Sequence, residues 1–100
     1  MSKLTEEMWA KVVARVDELK SLPYSKLAIM PHYSEVENTC NGVPIRVATW
    51  IDKGKDQLGI AVHTIKEGIL GSETIAHDGF FINPDGSIKQ MPSERQLKNV

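Results

Sequence analysis

Two histidines of this sequence, His63 and His77, are the side chains best placed for metal chemistry. They fall on neighbouring predicted strands, and two imidazoles with a carboxylate such as Asp78 would make a metal site. One solvated histidine and one hydrogen-bonded sheet histidine is the commoner arrangement, and we favour it. The sequence contains no Cys-x-x-Cys and no His-Glu-x-x-His motif. We therefore predict no metal and no other cofactor.

The single cysteine, Cys40, would be a nucleophile if a histidine lay beside it. It adjoins an Asn-Gly turn, which is a poor platform for catalysis, and we interpret it as a small buried hydrophobe. Glu35 and Glu37 share one strand face, but a solvated sheet edge explains them as well as a paired acid and base does. We assign no catalytic residue and favour a protein that is not an enzyme.

The clearest structural signal is a hairpin formed by residues 43–51 and 58–66. Both runs alternate with period two, which indicates half-buried strands. One face of the hairpin is branched or apolar, and we expect it to face the core. Its members are Val43, Ile45, Val47, Thr49, Ile51, Leu58, Ile60, Val62 and Thr64.

The pairing of Ile51 with Leu58 sets the predicted register of this hairpin and leaves residues 52–57 as its turn. A slip of one residue would bury the wrong face. On the reverse face, the side of the sheet turned away from the core, a tryptophan then covers a strand glycine. The pairs predicted there are Trp50 with Gly59, Ala48 with Ala61 and Arg46 with His63.

An amphipathic helix is predicted over residues 6–20, with Thr5 as its cap and Pro23 beyond its end. Its apolar stripe is Trp9, Val12, Val13, Val16 and Leu19. Residues 26–30 lie between two prolines and read as a short edge strand or a buried crossing segment. The other predicted elements are strands at 34–40, 73–77, 80–82 and 87–91, a tight turn at Asn41-Gly42 and a turn at 83–86.

These elements add up to one α+β domain over residues 1–100, with residues 93–100 as a frayed tail. Its two layers are the N-terminal amphipathic helix and a four- or five-stranded antiparallel β-meander. Asp78-Gly79 is predicted to be either a bulge or a second tight turn. Ile69 and Leu70 are expected to cover one edge of the core.

Composition narrows the class of function. The net charge is −1 and the basic residues are scattered, which disfavours a nucleic-acid-binding role. A single cysteine favours a reducing compartment. The N-terminal residues lack the apolar segment of a signal peptide, and no apolar run approaches the roughly 18 residues of a membrane span. We therefore expect a cytoplasmic protein without a membrane partner.

The reverse face is the best candidate for a binding site. Tryptophan and arginine among small residues resemble the centre of a protein interface, so we predict that Arg46, Trp50 and His63 bind a partner. That partner would be a second copy or another protein, as in a regulatory or inhibitor-type subunit. In the competing arrangement, 27–30 or 69–70 covers Trp50. The predicted reverse face comprises Arg46, Ala48, Trp50, Ala61, His63 and Ile65, with Phe80 as a further candidate.

The alternative function is a small-molecule or catalytic pocket between the helix and the sheet. Trp9, Phe81 and a histidine would line it. A core of this size provides such a cavity only at a cost in stability, because protein interiors are close-packed. This alternative therefore ranks below a binding module.

Overall fold

The structure is a computed structural model that describes residues 3–68, 71–91 and 94–95. Within these residues, two helices precede six strands. The helices are α1 (Lys3–Lys20) and α2 (Tyr24–Ala28). The strands are β1 (Tyr33–Cys40), β2 (Val43–Lys53), β3 (Leu58–Gly68), β4 (Gly71–Ile82), β5 (Ile88–Gln90) and β6 (Glu94–Arg95).

The strands β1 to β5 lie side by side in chain order and pair antiparallel. The helix α1 packs on one face of this meander, mainly over β3 and β4. The predicted α+β class, an N-terminal amphipathic helix on a β-meander, is confirmed. Neither helix of the described chain is long and apolar enough to cross a membrane.

The apolar stripe of α1 is built from Met8, Val12, Val16 and Leu19, all of them buried. These positions recur at steps of three and four residues, so they share one helix face. The prediction erred in detail, because Val13 is exposed and Trp9 only borders the core. The helix also begins before residue 6, so Thr5 lies inside it instead of capping it.

The segment after α1 was predicted wrongly as a strand or crossing segment. It contains α2, which Pro23 precedes at the cap position with φ −71°. Proline suits a helix start because its fixed φ is helix-compatible and its missing N–H costs nothing there. The single turn of helix turns Leu27 inward, where it is fully buried against the core.

The first hairpin is confirmed. Asn41 and Gly42 have φ values of 50° and 79°, and Cys40 pairs with Val43 across a two-residue turn. Pro44 lies one residue before the first pair between β2 and β3, so its missing N–H removes no bond on that side. The polar strand β1 is an edge of the sheet, in agreement with the solvated edge that explains Glu35 and Glu37.

The register predicted for the central hairpin is wrong by two residues. Ile51 pairs with Ile60, and Trp50 lies opposite Ala61 instead of Gly59. The strands continue into the charged stretch predicted to be turn, and the Gly54 N–H donates to the Gln57 carbonyl oxygen at 2.8 Å. A shift of two residues keeps every side chain on its predicted face.

The strand β4 is continuous, so Asp78-Gly79 is neither a bulge nor a turn. The irregularity lies nearer its start, where Ile75 is an extra residue opposite the Thr64–Ile65 step of β3. This offset places Phe80 on the helix side, fully buried, and Phe81 on the reverse face opposite Gly59.

The turn after β4, the C-terminal residues and the β3–β4 connection were the subject of the remaining predictions. Asn83 to Gly86 forms the predicted turn, with the Gly86 N–H donating to the Asn83 carbonyl oxygen at 2.8 Å. Within the predicted tail, Glu94 and Arg95 pair with His77 and Ala76 of β4. Ile69 and Leu70, predicted to cover the core edge, lie outside the described residues, as do 96–100.

Candidate functional site

The reverse face of the sheet is the candidate site. Both helices lie on the other side, where they join the buried core. Among the described residues, no helix packs over the reverse face, and Met91 is the side chain that folds across its β3–β4 end. All the residues predicted for this face lie on it, except Phe80. The face also carries Tyr33, Glu35, Glu37, Glu67, His77, Phe81 and Met91.

An aromatic row crosses four strands of this face, with one ring from each strand. The ring centroids of Tyr33 and Trp50 are 4.8 Å apart, and those of Trp50 and His63 are also 4.8 Å apart, with the last two rings edge to face. His63 and His77 stack at 5.2 Å. These separations lie within the range of favourable aromatic contacts.

Strand register explains why the four rings meet. Tyr33 lies directly opposite Trp50, and His63 lies directly opposite His77. Trp50 and His63 are diagonal neighbours, which long side chains can bridge. Ala48, the residue opposite His63, is fully buried beneath this row. A small side chain at that position leaves the room that the rings occupy.

Burial favours the neutral form of His63. Desolvation and the neighbouring charge of His77 lower the pKa of His63 below its usual range. The lowered pKa favours the neutral imidazole, which brings no charge into the row. That state suits a surface that excludes water.

The carboxylate considered for a metal site is not part of this cluster. His63 and His77 come together as predicted, but Asp78 follows His77 in the strand and so lies on the opposite face. Its Oδ1 accepts hydrogen bonds from the Gly79 N–H at 2.8 Å and from Gln90 Nε2 at 2.6 Å. The described part of the chain brings no three His, Cys, Asp or Glu side chains together as a metal site.

Arg46 is held by partners within its own chain. Its guanidinium donates to Glu35 Oε2 at 3.3 Å, to Ser72 Oγ at 3.1 Å and to the carboxylate of Glu67. Tyr33 completes the network by donating to Glu35 Oε2 at 2.6 Å. Arg46 lies opposite Ile65, not His63 as predicted. Its role is thus to anchor one side of the aromatic row.

The other end of the reverse face is apolar. A Cβ on Gly59 would lie 3.3 Å from both Phe81 Cε1 and Met91 Cε, so these two side chains cover that glycine. The sequence predicted an aromatic ring over Gly59 but named Trp50, because the register was two residues off. Tyr33, His77, Phe81 and Met91 were not predicted to lie on this face, since His77 was considered only for a metal site and Phe81 only for the pocket between helix and sheet. Their strands and periodicity were visible, but their face depends on pairings that the sequence does not fix.

The predicted pocket between helix and sheet does not form from the residues named for it. Trp9 borders the core on the helix side, whereas Phe81 and His63 lie on the reverse face. The sheet separates them. Cys40 is 2% exposed, and burial raises the pKa of its thiol, as expected for a small buried hydrophobe and not for an activated nucleophile.

The three predicted binding residues therefore share one face, where Trp50 and His63 belong to the aromatic row and Arg46 lies beside it. Comparison with protein-family models, with curated proteins and with solved structures gave no match. Function is accordingly inferred from the geometry of the reverse face.

Proposed function

We propose that this protein is a cytoplasmic protein-binding module whose reverse face docks a second copy of the chain. One observation supports the proposal above the others. The row from Tyr33 to His77 lies on a sheet face that no described helix covers, and it joins four aromatic rings into one surface. Clustered rings of this kind mark protein interfaces more often than plain surface.

The chemistry of the face favours a protein over a small molecule. Trp50 and His63 are half-buried, and Ala48 beneath them is inaccessible. Small ligands are usually held in clefts that bury most of their surface, and the cavity of about 360 Å³ beside Arg46 is lined by no ring of the aromatic row. The row itself is better matched by another sheet or helix.

The size of the face fits a dimer. Four strands spaced about 4.8 Å apart, paired over nine residues at about 3.3 Å each, span roughly 19 by 30 Å. That is about 600 Å² in projection, before side-chain relief is added, close to the roughly 800 Å² that each partner buries in a standard interface.

Charge allows two copies to meet. The chain carries a net charge of −1, and the guanidinium of Arg46 is paired with Glu35 and Glu67. The whole chain therefore adds little repulsion to a two-fold arrangement, in which the same patch is used on both copies, and the three glutamates around Arg46 lie beside the aromatic row and not within it. The unpaired Cys40 fits a reducing compartment, which supports the cytoplasm as the location.

Sedimentation equilibrium on the wild type, Trp50→Ser and Ile29→Ser tests the proposal. Ile29 is 82% exposed and lies outside the reverse face, so Ile29→Ser is a matched loss of apolar surface. Trp50→Ser should raise the dimer dissociation constant about 30-fold, or about 2 kcal/mol, as for an interface hot spot. Ile29→Ser should leave it unchanged.

Thermal unfolding of the same variants completes the test. Trp50→Ser should still melt cooperatively, since the core on the helix side is intact. Loss of the cooperative transition would make Trp50 a core residue and contradict the proposal. The wild type could instead be a monomer that reaches the mass of a dimer only when a different protein is added. That result would contradict self-association and would indicate a regulatory or inhibitor-type subunit.

A further inference from the structure

We infer that the free edge of β1 is a second binding surface, and that it takes an extended peptide strand with lysine or arginine at alternate positions. In this mode a peptide adds one strand to the sheet through main-chain hydrogen bonds. The inference concerns a different surface from the reverse face, and it does not depend on the proposed dimer.

The edge is long and regular. β1 has eight residues, no proline, and an unbroken register with β2 from Tyr33–Trp50 to Cys40–Val43. No strand in residues 3–68, 71–91 or 94–95 pairs with its outer side. At the opposite side of the sheet, β5 and β6 both pair with β4 and shorten the open edge there.

One hydrogen bond fixes which backbone groups point outward. The Ile51 N–H donates to the His32 carbonyl oxygen at 2.8 Å, so His32 and every second residue after it bond to β2. The N–H and C=O groups of Glu35 and Glu37 therefore point away from the sheet. At the end of the strand, the Thr39 N–H is already used by Asn38 Oδ1 at 2.9 Å.

The helix side of this edge offers an apolar contact. Val36 is 63% exposed although it lies on the core face of its strand, because α1 sits over β3 and β4. A groove of about 350 Å³ runs between it and α1. Ala14 and Val47 line it beside Val36, and the rest of its lining is polar: Lys11, Arg15, Glu18 and Asn38. A small apolar side chain of an added strand would fit beside Val36.

The reverse-face side of the edge is acidic. Glu35, Glu37 and Glu67 lie around one guanidinium, that of Arg46, so three negative charges meet one positive charge. Residues directly opposite on paired strands interact, and unlike charges are favourable there. Lysine or arginine at alternate positions of the added strand would meet Glu35 and Glu37.

The same charges disfavour a second copy at this edge. In each of the three central antiparallel registers of β1 with itself, Glu35 or Glu37 would lie opposite a glutamate. Like charges directly opposite one another destabilise a strand pair. Acidic side chains on an edge also protect a sheet from uncontrolled pairing. An acidic edge of this kind favours a basic strand over other strands.

Titration with a capped peptide, Thr-Lys-Val-Lys-Val-Lys-Thr, tests the inference by NMR on the Trp50→Ser protein. That background keeps the proposed dimer out of the measurement. Saturation should shift the amide signals of Glu35 and Glu37 and slow their hydrogen exchange at least tenfold. The same peptide with glutamate in place of lysine should cause neither change.

Two substitutions separate the contribution of side-chain charge to peptide binding from the contribution of main-chain hydrogen bonds. Glu37→Lys should weaken peptide binding at least tenfold, whereas the same charge change at Glu6→Lys, on an exposed position of α1, should not. Glu37→Pro removes an outward N–H but no bond to β2, so it should weaken binding at least tenfold and still melt cooperatively. If Glu37→Pro fails to fold, the peptide affinity of Glu37→Lys and the hydrogen-exchange rates of β1 test the inference without it.

Equal binding to the wild type and Glu37→Lys would overturn the inference. Absence of amide shifts in β1 at millimolar peptide, or shifts confined to His63 and Phe81 on the reverse face, would also overturn it. A loss of self-association in Glu37→Pro would assign the edge to a second copy and contradict the basic-strand assignment.

Discussion

Trp50 and His63 meet edge to face across β2 and β3, with ring centroids 4.8 Å apart, although neither lies directly opposite the other in the ladder. Their diagonal contact joins the Tyr33–Trp50 pair to the His63–His77 pair. The four rings consequently form one surface, and a substitution at Trp50 or His63 should perturb the ring packing of both pairs.

Acidification should destabilise the protein through His63. Its pKa is lowered in the folded state, so the unfolded chain binds more protons between that pKa and the ordinary value near 6.5. This contribution to stability is complete above about pH 6.5 and is lost as the pH falls through the folded pKa. Urea unfolding of the wild type at pH 7.5 and pH 5.5 should show the loss.

The control for this prediction is His63→Gln, which keeps a polar planar group and cannot titrate. Its stability should change less between the two pH values than that of the wild type. Equal changes in both proteins would show that other groups carry the pH dependence.

Two adjacent phenylalanines should behave differently. Phe80 is fully buried on the helix side, so Phe80→Ala should lower the free energy of unfolding by about 3–5 kcal/mol. Phe81 lies on the reverse face over Gly59, and Phe81→Ala should cost less than about half as much while weakening self-association. Urea unfolding and sedimentation measure the two effects, and a reversed order of stability would contradict the register of β4.

Two strand glycines provide a test of packing between β3 and β4. A Cβ on Gly79 would lie 2.2 Å from the Ile60 carbonyl oxygen, which is backbone and cannot yield locally. Gly79→Ala should therefore destabilise the protein by about 3 kcal/mol. Gly59→Ala, whose Cβ would meet only side chains at 3.3 Å, should cost less than about 1.5 kcal/mol in the same urea experiment.

Arg46→Gln tests the ion-pair network beside the aromatic row. The substitution leaves Glu35 and Glu67 without their cation, but the partners are partly exposed and salt screens them. We expect a loss of about 1 kcal/mol or less at low salt. The difference from the wild type should shrink in 1 M NaCl, and a difference that grows with salt would rule out the electrostatic account.

The sequence predicted which face each central residue occupies, but not which residues it meets. Period-two alternation assigns Trp50 and His63 to one face, and an error of two residues leaves that assignment intact. Their neighbours depend on where the turn begins. Asp52 and Lys53 look like turn residues but belong to the strand, because the hydrogen bond between Gly54 and Gln57 closes a shorter loop.

Two other features depend on long-range packing that local pattern does not reveal. The extra residue Ile75 shifts the pairing of β4 and exchanges the faces expected for Phe80 and Phe81. The short helix α2 follows Pro23, where two prolines suggested an edge strand or a buried crossing segment, and it places Leu27 in the core. By contrast, Asn41-Gly42 specifies its own turn, and that hairpin was predicted in correct register.

Isotope-filtered NOE spectroscopy is the sharpest test of docking through the reverse face. An equimolar mixture of ¹³C-labelled and unlabelled protein reveals only contacts between copies. Intermolecular contacts are expected from the methyl groups of Ala61 and Ile65 to aromatic rings, and none from the exposed methyl groups of Val13. Contacts from Val13 alone, or no intermolecular contacts at millimolar protein, would contradict docking through the reverse face.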